Sequence, residues 1–122
     1  MTHPGQRLGR RGEELAARTL ENQGLQILAR NHRTRYGEID LVARDGDYLV
    51  LVEVKTRSSC RLGFPEEALT PAKQARLVAL AEAYVAETGW TGPWRIDVVA
   101  IFMAQGGQPP SVRWLPNAVG AP

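Results

Sequence analysis

Apolar residues recur over positions 6–22 with the period of a helix. At about 100° per residue, Leu8, Gly12, Leu15, Ala16, Thr19 and Leu20 fall on one arc, and Gly24 then stops the segment. Beyond it the period shortens to two. Residues 25–33 alternate and read as a first strand, Tyr36-Gly37 is a turn signal, and residues 38–44 alternate again. Asp45-Gly46-Asp47 marks a hairpin, and residues 48–55 form the most strand-like run in the chain. Residues 56–69 are polar, contain Gly63 and Pro65, and read as a loop. Thr70-Pro71 then starts a second helix, with Thr as N-cap and Pro at the first helical position; it is expected to run to about Thr88, before Gly89. After a Gly92-Pro93 loop, residues 95–102 are apolar enough for a buried strand. Residues 105–110 read as a turn, 112–115 as an edge strand and 117–122 as a tail.

The predicted order is α-β-β-β-α-β-β, an α/β chain with no internal repeat and no linker. Residues 1–122 are therefore expected to form a single domain, with a core at about 6–103 and a turn, edge strand and tail over 104–122. With 122 residues, 43% apolar and 23% charged, the chain has ordinary globular usage, which excludes a wholly disordered or collagen-like protein. No apolar run approaches the roughly 20 residues of a membrane helix, and residues 1–7 have no apolar stretch of the signal-peptide kind. A cytoplasmic location without membrane association is the expectation. One cysteine, Cys60, excludes an internal disulfide and a multi-cysteine zinc site; two histidines, His3 and His32, exclude a histidine-rich one.

Charge adds a direction. Seven arginines face three glutamates over residues 1–35, whereas the remainder carries eight basic and ten acidic side chains. A basic first third suggests a polyanionic partner, although arginines also simply solubilise a helix and a loop. Arg7, Arg10, Arg11, Arg33 and Arg35 are the phosphate-contact candidates in that segment.

The chemistry gathers on the predicted hairpin. Glu53 and Lys55 end an otherwise apolar strand and share a face with Leu49 and Leu51. Ionised groups on such a strand are costly unless paired or bound to a metal. Asp40 precedes the hairpin, in Gly37-Glu38-Ile39-Asp40-Leu41. A Gly46-Asp47 loop would put Asp40 opposite Glu53, an Asp45-Gly46 loop would put it diagonal, and a three-residue loop would put the two on opposite faces. Two adjacent carboxylates suit Mg²⁺, which keeps several waters and accepts phosphate oxygens. A lysine beside them can activate water and neutralise developing charge. A structural salt bridge between Lys55 and one carboxylate satisfies the same pattern. Glu13 borders the apolar arc of the first helix and can reach such a site or pair with a neighbouring arginine, whereas Glu14 points away. Arg57 continues the Glu53-Lys55 face toward phosphate. Lys73 and Gln74 open the buried arc of the second helix, either aimed at the site or as its frayed end. Arg95 and Asp97 alternate onto one strand face as a structural ion pair. Ser58, Ser59 and Cys60 lack a placed histidine for nucleophilic catalysis, and Trp90, Trp94 and Trp114 suit packing better than base stacking.

Gly12-Glu13 with Ala16, Arg30-Asn31-His32-Arg33, Gly37-Glu38-Ile39-Asp40-Leu41, Val52-Glu53-Val54-Lys55-Thr56-Arg57, Lys73 with Arg76, and Arg95-Ile96-Asp97 together resemble the pattern of the bacterial YraN family. The likeness spans residues 10–102. It implies a restriction-endonuclease-like fold, a mixed central β-sheet flanked by helices, similar to archaeal Holliday-junction resolvases. It further implies Asp40 and Glu53 as metal ligands, Lys55 as the catalytic lysine and Glu13 as the helix glutamate of resolvase-like members. Ile39 stands where a proline often precedes the superfamily's first acid. The expected activity is Mg²⁺-dependent endonucleolytic hydrolysis of DNA, branched or damaged DNA included, with Mn²⁺ as a substitute metal and a homodimer by analogy. The alternatives are a nucleic-acid-binding module that keeps the fold without cutting, and a small interaction protein.

Overall fold

The computed structural model describes residues 4–58, 69–104 and 106–119, with side chains of the first helix from Leu8 onward. Most of the expected 56–69 loop, Cys60, Gln105, the last residues of the tail and the Arg7 side chain lie outside the described residues. The elements are α1 (Pro4–Asn22), β1 (Gln26–Thr34), β2 (Gly37–Asp45), β3 (Tyr48–Arg57), α2 (Pro71–Thr88), β4 (Trp94–Phe102) and β5 (Ser111–Leu115). The order is the predicted one. The five strands form one mixed sheet in sequence order, antiparallel everywhere except between β3 and β4, which run parallel. That parallel pair requires a crossover, and α2 lies in the connection.

The helices cover opposite faces. Ala16, Ala17 and Leu20 of α1 pack with Leu41, Ala43, Val50, Val52, Val99 and Ile101, while Leu77, Leu80 and Ala81 of α2 pack with Ile39, Val42, Leu49, Leu51 and Ile96. A sheet buried on both faces explains why residues 96–101 of β4 are buried without interruption.

Caps follow the predicted chemistry. Thr70 Oγ1 accepts the Lys73 N–H, Pro71 opens α2, and Gly89 closes it in the left-handed region at φ 69°. The first hairpin differs by one residue. Thr34 pairs with Gly37, so the turn is Arg35-Tyr36 and Gly37 begins β2. Thr34 Oγ1 fixes it by donating to the Gly37 carbonyl and accepting the Tyr36 N–H.

Asp97 is the most buried acid among the described residues. Its carboxylate, 0% exposed, accepts from Arg95 Nε at 3.0 Å, Trp114 Nε1 at 2.9 Å and the Asn117 N–H at 2.8 Å. Arg95 continues to Asp45 at 2.9 Å. The expected Arg95–Asp97 pair is thus a network that ties β5 and the following turn to the sheet.

Candidate active site

The β2–β3 connection decides the geometry. Asp45 pairs with Tyr48, leaving Gly46-Asp47 as a two-residue loop, and the ladder runs to Leu41 opposite Val52. One step further in the same register are Asp40 and Glu53. The ladder ends there because the Asp40 side chain takes over: its Oδ2 accepts the Val54 N–H at 2.8 Å. A carboxylate thus stands where a backbone acceptor would otherwise be.

Side-chain alternation reverses at this level. Ile39 and Leu41 are two residues apart, yet Ile39 packs on the α2 face and Leu41 on the α1 face. The neighbouring strand reverses beside it. Ala29 and His32 are three residues apart and both meet the α2 side, His32 through an edge-on contact with Tyr84 at 5.0 Å. Between them Asn31 adopts φ 52°, the left-handed region that Asn tolerates better than most residues. Register is the same on both sides, with Arg30 opposite Leu41 and His32 opposite Ile39. The reversal is shared by both strands and brings Asn31 and Glu38 toward α1.

Glu13 arrives from α1 through a close helix–strand contact. A Cβ at Gly12 would collide with Thr56 Oγ1, so only glycine lets α1 approach β3 here. The next residue, Glu13, lines an open cavity of about 250 Å³ with Leu8, Gly9, Asp40, Val54, Lys55, Thr56 and Arg57. A wider surface cleft of about 670 Å³, between Arg35-Tyr36 and the alanine-rich outer face of α2, gathers no comparable set of acids and bases.

Four carboxylates crowd this end of the sheet. Burial, followed by the charge of Glu53, pushes Asp40 up to about 7 against the opposing Val54 hydrogen bond; Glu13 and Glu38 add to the rise. Burial and then Glu38 also raise Glu13, although Arg10 and Arg30 pull it down. Glu53, 8% exposed, is held by Lys55 Nζ at 3.1 Å and approached by Arg76 Nη2 of α2 at 3.8 Å. One terminal atom of the Asn31 amide sits 2.7 and 3.2 Å from the Glu13 oxygens and 2.9 Å from Glu38 Oε1; it is assigned as the NH₂, because an oxygen there would face three carboxylate oxygens.

Glu13, Asp40, Lys55 and Arg57 therefore meet at one cavity, with Glu53 joined to it through Lys55. Arg10 lies close enough to influence Glu13. Other candidates lie elsewhere or are otherwise engaged. Arg11 is exposed, Arg33 is exposed at the register position opposite Glu38 and outside the cavity lining, and Arg35 stacks over Tyr36 beside the α2 cleft. Gln74 Nε2 donates to the Leu69 carbonyl, and Lys73 is half-buried in the first turn of α2. Asn31 and Glu38 escaped the expected site; the signal was an asparagine inside a strand and a glutamate two residues before Asp40. Arg76 appeared only within the family resemblance.

Among the described residues, no three His, Cys, Asp or Glu side chains converge as a ready-made metal cage. A cation here would take the two carboxylates Asp40 and Glu53 and complete its shell with water and phosphate oxygens, the coordination habit of Mg²⁺. The upward push on Asp40, which comes first from burial and then from the charges of Glu53, Glu13 and Glu38, fits this donor set, since a bound cation would relieve the repulsion.

A family model described as "Uncharacterised protein family UPF0102" matches residues 12–101. A UPF0102 protein of Rhodococcus jostii is 50% identical over 104 residues, 84% of this chain and 87% of the relative. One from an Arthrobacter species is 54% identical over 103 residues, at 84% and 87% coverage. One from Roseiflexus castenholzii is 49% identical over 122 residues, 98% of each chain. No helix among the described residues is long and apolar enough to cross a membrane.

Proposed function

The chain belongs to the UPF0102 (YraN) family, and on that premise we propose that it is a Mg²⁺-dependent endonuclease that hydrolyses phosphodiester bonds of DNA. One observation carries the reading. Asp40 is a half-buried carboxyl, pushed up to about 7 by its partial burial and by Glu53, Glu13 and Glu38, at the rim of an open cavity that also holds Lys55 and Arg57. Acids gathered beside open space favour a cation from outside the chain, and a metal-dependent phosphoryl site uses such a set.

Asp40 and Glu53 would hold the metal. When bound, Mg²⁺ supplies Lewis-acid stabilisation of the phosphate and a more acidic water. The Asp40 Oδ2–Val54 hydrogen bond fixes one ligand against the β3 backbone. Lys55 lies against Glu53 and lines the cavity, where its ammonium can orient the attacking water and offset charge on the phosphate. Glu13 faces the same space and can accept a hydrogen bond from that water. Arg57 at the cavity and Arg10 and Arg11 on α1 supply phosphate contacts that locate the strand without reading its sequence. Mn²⁺ is expected to substitute for Mg²⁺.

The test is cleavage of labelled duplex, single-stranded, flap and four-way-junction DNA with Mg²⁺, Mn²⁺ or EDTA, alongside Asp40→Asn and Glu53→Gln. The expected result is metal-dependent cutting that both substitutions abolish. Salt-sensitive DNA binding without cutting, undiminished in both variants, would make the chain a binding module instead.

A further inference from the structure

Asn31 is given no task by the proposed chemistry. It sits in a strand with φ 52° and brings its amide between two carboxylates of different elements, Glu13 of α1 and Glu38 of β2. Like charges at this separation repel and would otherwise drive the two side chains apart. An amide NH₂ offers two N–H donors, which suits one bond to each acid. The distances of 2.7 Å to Glu13 and 2.9 Å to Glu38 are those of charge-assisted hydrogen bonds.

The residue type is informative. Glycine would take the left-handed backbone without supplying a donor. Aspartate would tolerate the same backbone but add a third negative charge. Asparagine alone among these supports the strand reversal and bridges the acids at once.

Resting on the nuclease reading of this site, we propose that Asn31 is a positioning residue: its amide clamps Glu13 to Glu38 and so holds the Glu13 carboxylate over the cavity shared by Asp40 and Lys55. Asn31 does not touch the reacting atoms. It acts through Glu13, whose α-helical side chain would otherwise sample several rotamers, and it links the position of α1 to the β1–β2 pair. The clamp thereby makes metal and substrate engagement depend on a residue one strand away from the metal ligands.

The clamp and its consequence can be tested separately. In the first experiment, the Asn31 side-chain NH₂ resonances are followed by ¹⁵N NMR in the metal-free protein. Both Glu13→Gln and Glu38→Gln are expected to shift them; resonances unchanged in either variant would overturn the clamp without touching the nuclease reading. In the second, Mn²⁺ affinity is measured by EPR and paired with the KM and kcat of DNA cleavage. Asn31→Gly keeps the backbone permissive and removes the amide, and Asn31→Asp keeps the shape and reverses the donor. Asn31→Gly is expected to weaken Mn²⁺ binding about 10-fold, and Asn31→Asp, whose added charge itself attracts the cation, to lower kcat without that loss, with melting temperatures checked in parallel. Asn31→Gly combined with Glu13→Gln is expected to bind no more weakly than Glu13→Gln alone, because both changes break one connection. Wild-type Mn²⁺ affinity in a folded Asn31→Gly, or fully additive losses in the double variant, would overturn the positioning role. A wild-type protein that neither binds Mn²⁺ nor cuts would overturn the nuclease reading, and with it the role of Asn31 there.

Discussion

The sheet buries acids at two places and treats them in opposite ways. Asp97 on β4 is fully enclosed, yet its oxygens meet the Arg95 guanidinium, the Trp114 indole and the Asn117 backbone. Burial works against the Arg95 charge, but its hydrogen bonds to Asp97 and Asp45 outweigh that and hold the guanidinium above its ordinary pKa. Asp40, at the other end of the β2–β3 hairpin from Asp45, accepts the Val54 N–H but faces the charges of Glu53, Glu13 and Glu38. Of the cations around this cluster, Lys55 and Arg76 pair with Glu53, and Arg10 and Arg30 act on Glu13 rather than on Asp40. An acid surrounded by donors is part of the scaffold. An acid left beside other acids, next to open space, is equipped to take a ligand from outside the chain.

Breaking the balanced cluster should cost most. Asp97→Ala leaves Arg95 without its main partner and frees the Trp114 and Asn117 donors. Urea unfolding should show a loss of about 3–5 kcal/mol, as for other buried pairs broken on one side. A loss below about 1 kcal/mol would mean that the network is decorative.

The next effect sharpens the other side of the comparison. Gly12→Ala places a methyl group against Thr56 and pushes α1, with Glu13, off β3. The expected destabilisation is about 1–3 kcal/mol, with a matching fall in DNA cleavage. Thr56→Ala removes the colliding hydroxyl and should restore part of both.

Asp40→Asn is expected to act on stability with the opposite sign. A carboxyl raised in the folded state from its ordinary 3.8 to about 7 takes up a proton on folding. Its cost to stability is therefore absent below about pH 4, grows as pH rises, and is complete above about pH 7. The amide keeps an acceptor for the Val54 N–H and carries no charge. Thermal unfolding should show Asp40→Asn gaining on wild type by up to about 4 kcal/mol between pH 4 and pH 8, and more stable than it at pH 8, while cleavage is lost. A variant less stable than wild type at pH 8 would place Asp40 with Asp97, among the structural acids.

Much of this arrangement was legible in the chain. Thr70-Pro71 and Gly89 bounded α2 because their capping chemistry is local. The Asp-Gly-Asp hairpin reduced the placement of Asp40 against Glu53 to a choice among loop lengths, and the two-residue Gly46-Asp47 loop selected the direct opposition. The reversal at Asn31 and Asp40 was not legible, because the alternation rule assumes a regular strand, and Asn31 leaves it at φ 52°. For the same reason Glu38 and Asn31 were absent from the expected cluster. Arg76 reaches Glu53 only through the packing of α2 across the sheet, which no local pattern encodes. The Arg95–Asp97 pair was visible as two residues on one strand face, but Trp114 and Asn117 join it from 17 and 20 residues further along.

The most direct measurement is a ¹³C carboxyl NMR titration of Asp40, run without divalent metal and then with Mg²⁺. The account predicts a metal-free midpoint near 7 and a fall of that midpoint toward the acid side in Mg²⁺, as the cation replaces the proton. An Asp40 that titrates in the ordinary carboxyl range, or whose midpoint near 7 is indifferent to Mg²⁺, would contradict it.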